Sequence, residues 1–260
     1  MPGHIIHFAH ANGFPARTYS KLFRSLEADF EIGYLERHGH NPDFPVDDGW
    51  CRLKDELRAE LERRYTRPVI GVGHSLGGIL HFLVAVENPE LYSQIILLDA
   101  PIISRFSSNA IWALKTFRLM DRYTPSQMTR LRRRSWPSRE EAFQHFKGKE
   151  KFAAFDEDVL RDYVEHGLVE GESGLELFFT PRIEAKIYRT IPHDLPRFRG
   201  KLETPAAYIG GSDSREGRLA RLDYMKKHFP FDFYSIQGSH LFPLEKPFET
   251  AVKIRQISLR

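Results

Sequence analysis

The sequence predicts an α/β fold: a mostly parallel sheet of about six strands wrapped by helices, with a helical cap inserted once. Three observations predict it. Short β-branched runs alternate with helical periodicity over residues 1–103 and again over 201–260. Over 104–200 the alternation stops, no convincing buried strand is found, and Arg, Phe and helical spacing dominate, as a cap (lid) domain requires. Finally, Gly73-His74-Ser75-Leu76-Gly77 places a serine between a strand and a helix, flanked by glycines.

Each element follows from its residues. Ile5-Ile6-His7-Phe8-Ala9 gives a strand over 4–9, and a helix near 18–27 leads to a strand over 30–35. Trp50, Leu53, Leu57 and Leu61 recur at helical spacing and predict a helix over 49–65. Pro68-Val69-Ile70-Gly71-Val72 reads as a buried parallel strand over 68–73. Ile79, Leu80, Leu83, Val84 and Val86 then carry a helix over 76–87, which Asn88-Pro89 stops. Ile95-Ile96-Leu97-Leu98 forms a strand over 94–99 that ends at Asp99. Beyond the insert, a strand from Thr204 ends in a turn at Asp213, Phe231 to Ile236 alternates as a last strand, and a helix covers 244–257.

The serine context defines candidate chemistry. A hydroxyl is a weak nucleophile at neutral pH and needs a base oriented by an acid. In this geometry the chain order is serine, acid, histidine. Asp213 and His240, in the turn Gln237-Gly238-Ser239-His240, meet that order and open on the same sheet edge as Ser75. Ser75 is read as nucleophile, His240 as base and Asp213 as the orienting acid, with Asp99 the second candidate for that acid. The oxyanion donors are expected to be the backbone N–H of Leu76 and of Asn12, in the loop Ala11-Asn12-Gly13-Phe14-Pro15, with Gly13 or Phe14 as replacements. His4, His7 and His10 do not share one strand face, so no metal is expected there, and His10 is read as a brace for the loop.

Five stretches carry a resemblance: His10-Ala11-Asn12-Gly13, Arg37-His38-Gly39-His40, Gly73 to Gly77, Gly210 to Asp213, and Gly238 to His240. In that order they resemble the α/β-hydrolase superfamily. The resemblance implies a core lacking the first two strands of the full-length sheet, a cofactor-free Ser-His-Asp hydrolase, and a lid inserted after the strand ending at Asp99.

Composition agrees. At 260 residues, with 41% hydrophobic and 28% charged residues, the chain can bury one sizeable α/β core plus an insertion. A net charge of +3 argues against a nucleic-acid surface. No apolar run approaches the roughly 18 residues of a membrane span. Met1-Pro2-Gly3 leads straight into a strand with no charged n-region or apolar signal core, so no secretory leader is expected, and Ser258-Leu259-Arg260 is close to, but not, a peroxisomal Ser-Lys-Leu signal. The single Cys51 is expected as a small buried hydrophobe, and a cytoplasmic location is the default. Oligomeric state is left open.

In the insert, Ile111, Trp112, Leu114, Phe117, Leu119, Met120, Phe143, Phe146, Phe152 and Phe155 are first of all helix-packing residues, with an acyl pocket as their second reading. Arg130, Arg132, Arg133, Arg134 and Arg139 read as a solvated face rather than an anion site. Arg134 to Ala142 and Thr180 to Ala185 are similar to lids of microbial hydrolases. The expected activity is cleavage of small or medium-chain carboxylic esters through an acyl-enzyme, with a small-molecule ester as substrate and no nucleic-acid partner. A thioesterase and a carbon–carbon bond hydrolase acting on carboxylate-bearing diketones are the alternatives, and a non-catalytic ligand-binding protein of this fold is the rival of a different class.

Overall fold

A computed structural model describes residues 3–172 and 174–259. Met1, Pro2 and Arg260, which entered the reading of the two chain ends, lie outside the described residues. The first half alternates β1 (His4–Ala9), α1 (Ser20–Leu26), β2 (Phe30–Tyr34), α2 (Cys51–Arg64), β3 (Val69–His74), α3 (Leu76–Glu87) and β4 (Tyr92–Leu98). An intervening segment holds α4 (Arg105–Thr116), α5 (Met120–Tyr123), α6 (Ser126–Leu131), β5 (Ser135–Trp136), α7 (Arg139–Lys147), α8 (Glu157–Gly167), β6 (Leu168–Gly171), β7 (Gly174–Leu177) and α9 (Pro181–Arg189). The chain then completes β8 (Ala206–Gly211), α10 (Arg215–Ala220), α11 (Asp223–His228), β9 (Phe231–Ile236), α12 (Phe242–Glu245) and α13 (Pro247–Ser258).

Six strands form one parallel sheet in the order β2-β1-β3-β4-β8-β9. The period-2 alternation of a strand sorts its side chains into two layers. Ile6, Phe8, Ile70, Val72, Ile96 and Leu98 pack on one face with Leu22 and Leu26 of α1 and Ile254 of α13. Ile5, Val69, Ile95 and Leu97 pack on the other with Leu53 and Leu57 of α2 and Leu80 and Val84 of α3. Both faces are covered, which is why these strands read as unbroken apolar runs. All parallel strand ends point the same way, so the turns after β3, β4, β8 and β9 gather on one edge.

The intervening segment differs from expectation in three ways. It contains a three-stranded antiparallel sheet, β5-β7-β6, although its sequence offers only two- to four-residue strand runs, too short to show periodicity. Its apolar residues divide: Phe143, Phe146 and Phe152 are buried, whereas Trp112 and Phe117 of the α4 region are exposed. Arg132 is drawn inward to an ion pair with Glu184, 2.6 Å away, while Arg130, Arg133 and Arg134 stay exposed. Cys51, at the start of α2, is also exposed rather than buried; Leu53 and Leu57 hold the inner face of that helix.

The Arg37-His38-Gly39-His40 stretch ties this segment to the sheet. Arg37 stacks on the Phe178 ring at 3.9 Å and donates to the Phe178 carbonyl. His40 Nε2 accepts from the Thr180 backbone N–H at 3.0 Å, immediately before α9.

Candidate active site

Ser75 sits where β3 turns into α3. Its backbone takes φ 52 and ψ −112, a conformation costing a non-glycine residue about 1–3 kcal/mol. Two backbone hydrogen bonds hold it: Ser75 N–H donates to Leu98 O at 2.9 Å, and Ser75 O accepts from Ile79 at 3.2 Å. The flanking glycines allow the close approach this turn demands. A Cβ on Gly73 would collide with the Gly77 backbone, and one on Gly77 would collide with the Ala9 carbonyl.

Above the turn, His240 Nε2 lies 3.1 Å from Ser75 Oγ, and His240 Nδ1 lies 2.6 Å from Asp99 Oδ2. A carboxylate oxygen can only accept, so Nδ1–H donates to Asp99 and Nε2 is left to accept from the serine hydroxyl. The Asp99 carboxylate is fully buried and also accepts from Ser214 Oγ (2.5 Å), Gly211 N–H (3.1 Å) and Tyr208 OH (3.3 Å). Burial pushes its pKa up, but His240, Ser214 and Gly211 outweigh that and hold it below the ordinary carboxylate range.

The structure therefore corrects the expected acid. Asp213 is exposed, and its backbone N–H is spent on the Gly238 carbonyl at 2.9 Å. Asp99 takes its place because β4 lies directly beside β3, between the strand of Ser75 and the strand preceding Asp213. Asp99 also adopts φ 42, in the left-handed region that aspartate tolerates better than most residues. Chain order (serine, acid, histidine) is the same with either aspartate, so order alone could not separate them. The distinguishing signal was the adjacency of the two strands.

Of the two expected oxyanion donors, Leu76 directly follows Ser75 in the chain. Leu76 is the first residue of α3, where backbone N–H groups have no intrahelical partner. Asn12 is buried, and its side chain Nδ2 donates to the Glu184 carbonyl at 3.0 Å. His10 braces this loop from below: its Nδ1 is 2.9 Å from Ala11 O, and its Nε2 accepts from the His38 backbone N–H at 2.8 Å. His7 instead contacts Tyr65 OH at 3.0 Å, so the two histidines serve different structural roles.

Two residues that sequence reasoning left out connect the loop to the histidine. Ala11 N–H donates to Tyr19 OH at 3.3 Å, Tyr19 OH lies 2.7 Å from His74 Nδ1, and His74 Nε2 lies 2.8 Å from the His240 carbonyl. Because a carbonyl only accepts, Nε2–H of His74 must donate and its Nδ1 must accept from Tyr19. Burial, with the His240 charge next, lowers the His74 pKa to about 3, so this ring is neutral.

A serine, a singly tautomeric histidine and a buried carboxylate in hydrogen-bond contact at the carboxyl edge of a parallel sheet form the arrangement that a nucleophile elbow presents. The chain belongs to the alpha/beta hydrolase family, whose pattern residues 8–253 match. It is 26% identical over 172 residues to an abhydrolase domain-containing protein, AKT2, of Alternaria alternata, covering 66% of this chain and 56% of that protein. The chain thus spans little more than half the length of these curated relatives. Among solved structures it is similar to E-2-(acetamidomethylene)succinate hydrolase, with a TM-score of 0.77, 18% identity, and 99% of this chain and 92% of that chain covered. It is similar also to an M. tuberculosis esterase, with a TM-score of 0.72, 18% identity and coverage of 100% and 87%. At such identities these two likenesses bear on the fold. Among the described residues no helix is long and apolar enough to cross a membrane.

Proposed function

We propose that the protein is a serine hydrolase that cleaves carboxylic esters through an acyl-enzyme, with Ser75 as nucleophile, His240 as general base and acid, and Asp99 as the acid that orients His240. The observation that carries this reading is the unbroken contact Ser75 Oγ, His240 Nε2, His240 Nδ1, Asp99 Oδ2, at 3.1 and 2.6 Å. Ser75 Oγ attacks the acyl carbon as its proton passes to His240 Nε2. The resulting imidazolium is stabilised by the Asp99 carboxylate, and the oxyanion by the N–H groups of Leu76 and Asn12. His240 returns the proton to the departing alkoxide, and water then repeats the sequence to release the acid.

The segment 104–200 serves as the cap over this site in the proposed reading, since Glu184 and Tyr188 of α9 reach the Asn12 loop. The test is Ser75→Ala with p-nitrophenyl acetate or butyrate. Turnover is expected to fall by about 10³-fold or more with the fold intact. Retained turnover would move the nucleophile to another residue.

A further inference from the structure

Helix α4 stands on the protein with its aromatic side outward. None of its residues is buried. Ser104 caps its start by accepting from the Ser107 N–H at 3.3 Å, and polar contacts tether its inner side. There Ser108 Oγ donates to the His193 carbonyl, and Lys115 Nζ lies 2.5 Å from Asp48 Oδ1. Helical spacing puts Phe106, Ala110 and Phe117 on one outward stripe and Arg105, Asn109 and Trp112 on the next, and all six are exposed. Helix α6 is built alike, with Ser126 and Thr129 buried and Met128 and Leu131 exposed. Between them α5 touches both helices and presents Arg122 and Tyr123 to solvent. Of the eleven large apolar side chains exposed among the described residues, seven lie within 106–131, so this apolar surface is concentrated rather than scattered.

Positive charge is concentrated in the same place. Residues 105–134 hold eight Lys and Arg and a single acid, Asp121, whereas the net charge of the whole chain is only +3. The remainder of the chain is therefore net acidic. Lys115, Arg132 and Arg133 are paired with Asp48, Glu184 and Glu141, and Asp121 is taken by Arg189. Among the described residues, Arg105, Arg118, Arg122, Arg130 and Arg134 are exposed with no carboxylate in ion-pair distance.

Exposed rings and aliphatic chains interleaved with unpaired guanidinium groups match one environment, the boundary between the headgroups and acyl chains of an anionic bilayer. The apolar groups enter the hydrocarbon margin while the cations stay with phosphate and carboxylate. A second copy docking through the same face would set arginines against arginines. Nucleic acid would pair with the arginines, but Met128 and Leu131 offer no ring on which a base could stack.

We propose that the α4–α6 face docks on an anionic membrane surface, with Phe106, Trp112 and Phe117 inserted at the level of the headgroups. The protein lies on the bilayer rather than across it, in keeping with its lack of a spanning helix among the described residues. This docking does not depend on the reading of Ser75.

Trp112 supplies the probe. It is 55% exposed, whereas the other two tryptophans, Trp50 and Trp136, are 6% and 1% exposed. The full chain is mixed with vesicles of phosphatidylcholine, alone or with roughly 30% phosphatidylserine, at an ionic strength of about 0.1 M. Co-sedimentation reads binding, and tryptophan emission with acrylamide quenching reads insertion. Vesicles containing phosphatidylserine should bind at least about tenfold more tightly, shift the emission to the blue and shield it from acrylamide. Trp112→Phe should abolish the shift and keep the binding. Phe106→Ser/Phe117→Ser and Arg105→Gln/Arg122→Gln, all at exposed side chains, should each weaken binding by about tenfold or more with the melting curve unchanged. Ser75→Ala should bind as wild type does. An absence of binding to phosphatidylserine vesicles overturns the proposal, and equal binding to both vesicle types overturns its anionic selectivity. Binding with unshifted emission that survives Phe106→Ser/Phe117→Ser overturns it too, as adsorption by charge alone. So does an oligomer in solution that Phe106→Ser/Phe117→Ser dissociates and that vesicles leave intact, since a second copy then covers the face.

Discussion

Replacing Asp99 by asparagine isolates the contribution of one charge. The side chain keeps its size, and its single amide oxygen can replace either Oδ1, which accepts from Tyr208 and Gly211, or Oδ2, which accepts from Ser214 and His240, but it no longer carries the charge that faces His240. Two unit charges 2.6 Å apart attract by about 6 kcal/mol at the effective dielectric of about 20 that suits protein sites. Spreading the charge over two carboxylate oxygens and an imidazolium ring reduces this to about 4–5 kcal/mol, or a rate loss of about 10³–10⁴. The loss should fall on kcat, because the imidazolium exists only after proton transfer has begun. Asp213→Asn, at an exposed side chain, should stay within about threefold of wild type. The assay is steady-state hydrolysis of p-nitrophenyl butyrate by both variants, with melting curves to confirm folding. A loss of more than 100-fold in Asp213→Asn, with Asp99→Asn near wild type, would refute the reasoning and return the acid to the strand that precedes Asp213.

Other expectations follow from the buried histidines and their partners. Tyr19→Phe removes the hydroxyl that joins Ala11 N–H to His74; kcat should fall about threefold to 30-fold with KM little changed, read by the same steady-state assay. An unchanged kcat would show that the link does not position His240. His74 and His81 are fully buried, each held to about 3 by desolvation, whereas an unfolded histidine titrates near 6.5. Unfolding therefore takes up protons, so their contribution is complete above about pH 6.5 and is lost as pH falls towards about 3. At pH 5 each has given up about 2 kcal/mol, and His7 and His10, shifted the same way by burial, add to the loss. Urea unfolding at pH 7 and pH 5 measures the difference; equal midpoints would contradict it. Arg132→Met leaves the Glu184 carboxylate buried and unpaired, and should lower stability by about 3–5 kcal/mol in the same unfolding assay.

The parts of the architecture that were legible in the sequence are those governed by local rules. The β3–α3 turn announced itself because only glycine fits at Gly73 and Gly77, and because the apolar residues on either side change period from strand to helix. The parts that were not legible depend on strand neighbours and on long-range contacts. Asp99 and Asp213 are equivalent by local chemistry and by order, and only the β4–β3 pairing separates them. Glu184 was hidden for a different reason: it lies one helical turn from Ile187 and Tyr188, on the inner face of α9, where a carboxylate is unexpected unless a cation meets it. Arg132 was read with its neighbours as a solvated run, because sequence spacing cannot show which member of a basic cluster turns inward. The β5-β7-β6 strands were too brief to register.

Ser75 and Asp99 are fixed by adjacent strands within the first hundred residues, whereas His240 is supplied only by the turn after β9. During synthesis the ribosome would release the elbow and its acid well over a hundred residues before the imidazole exists. With the proposed triad, turnover would report docking of residues 201–260, and a nascent or truncated product ending after β4 would be chemically silent.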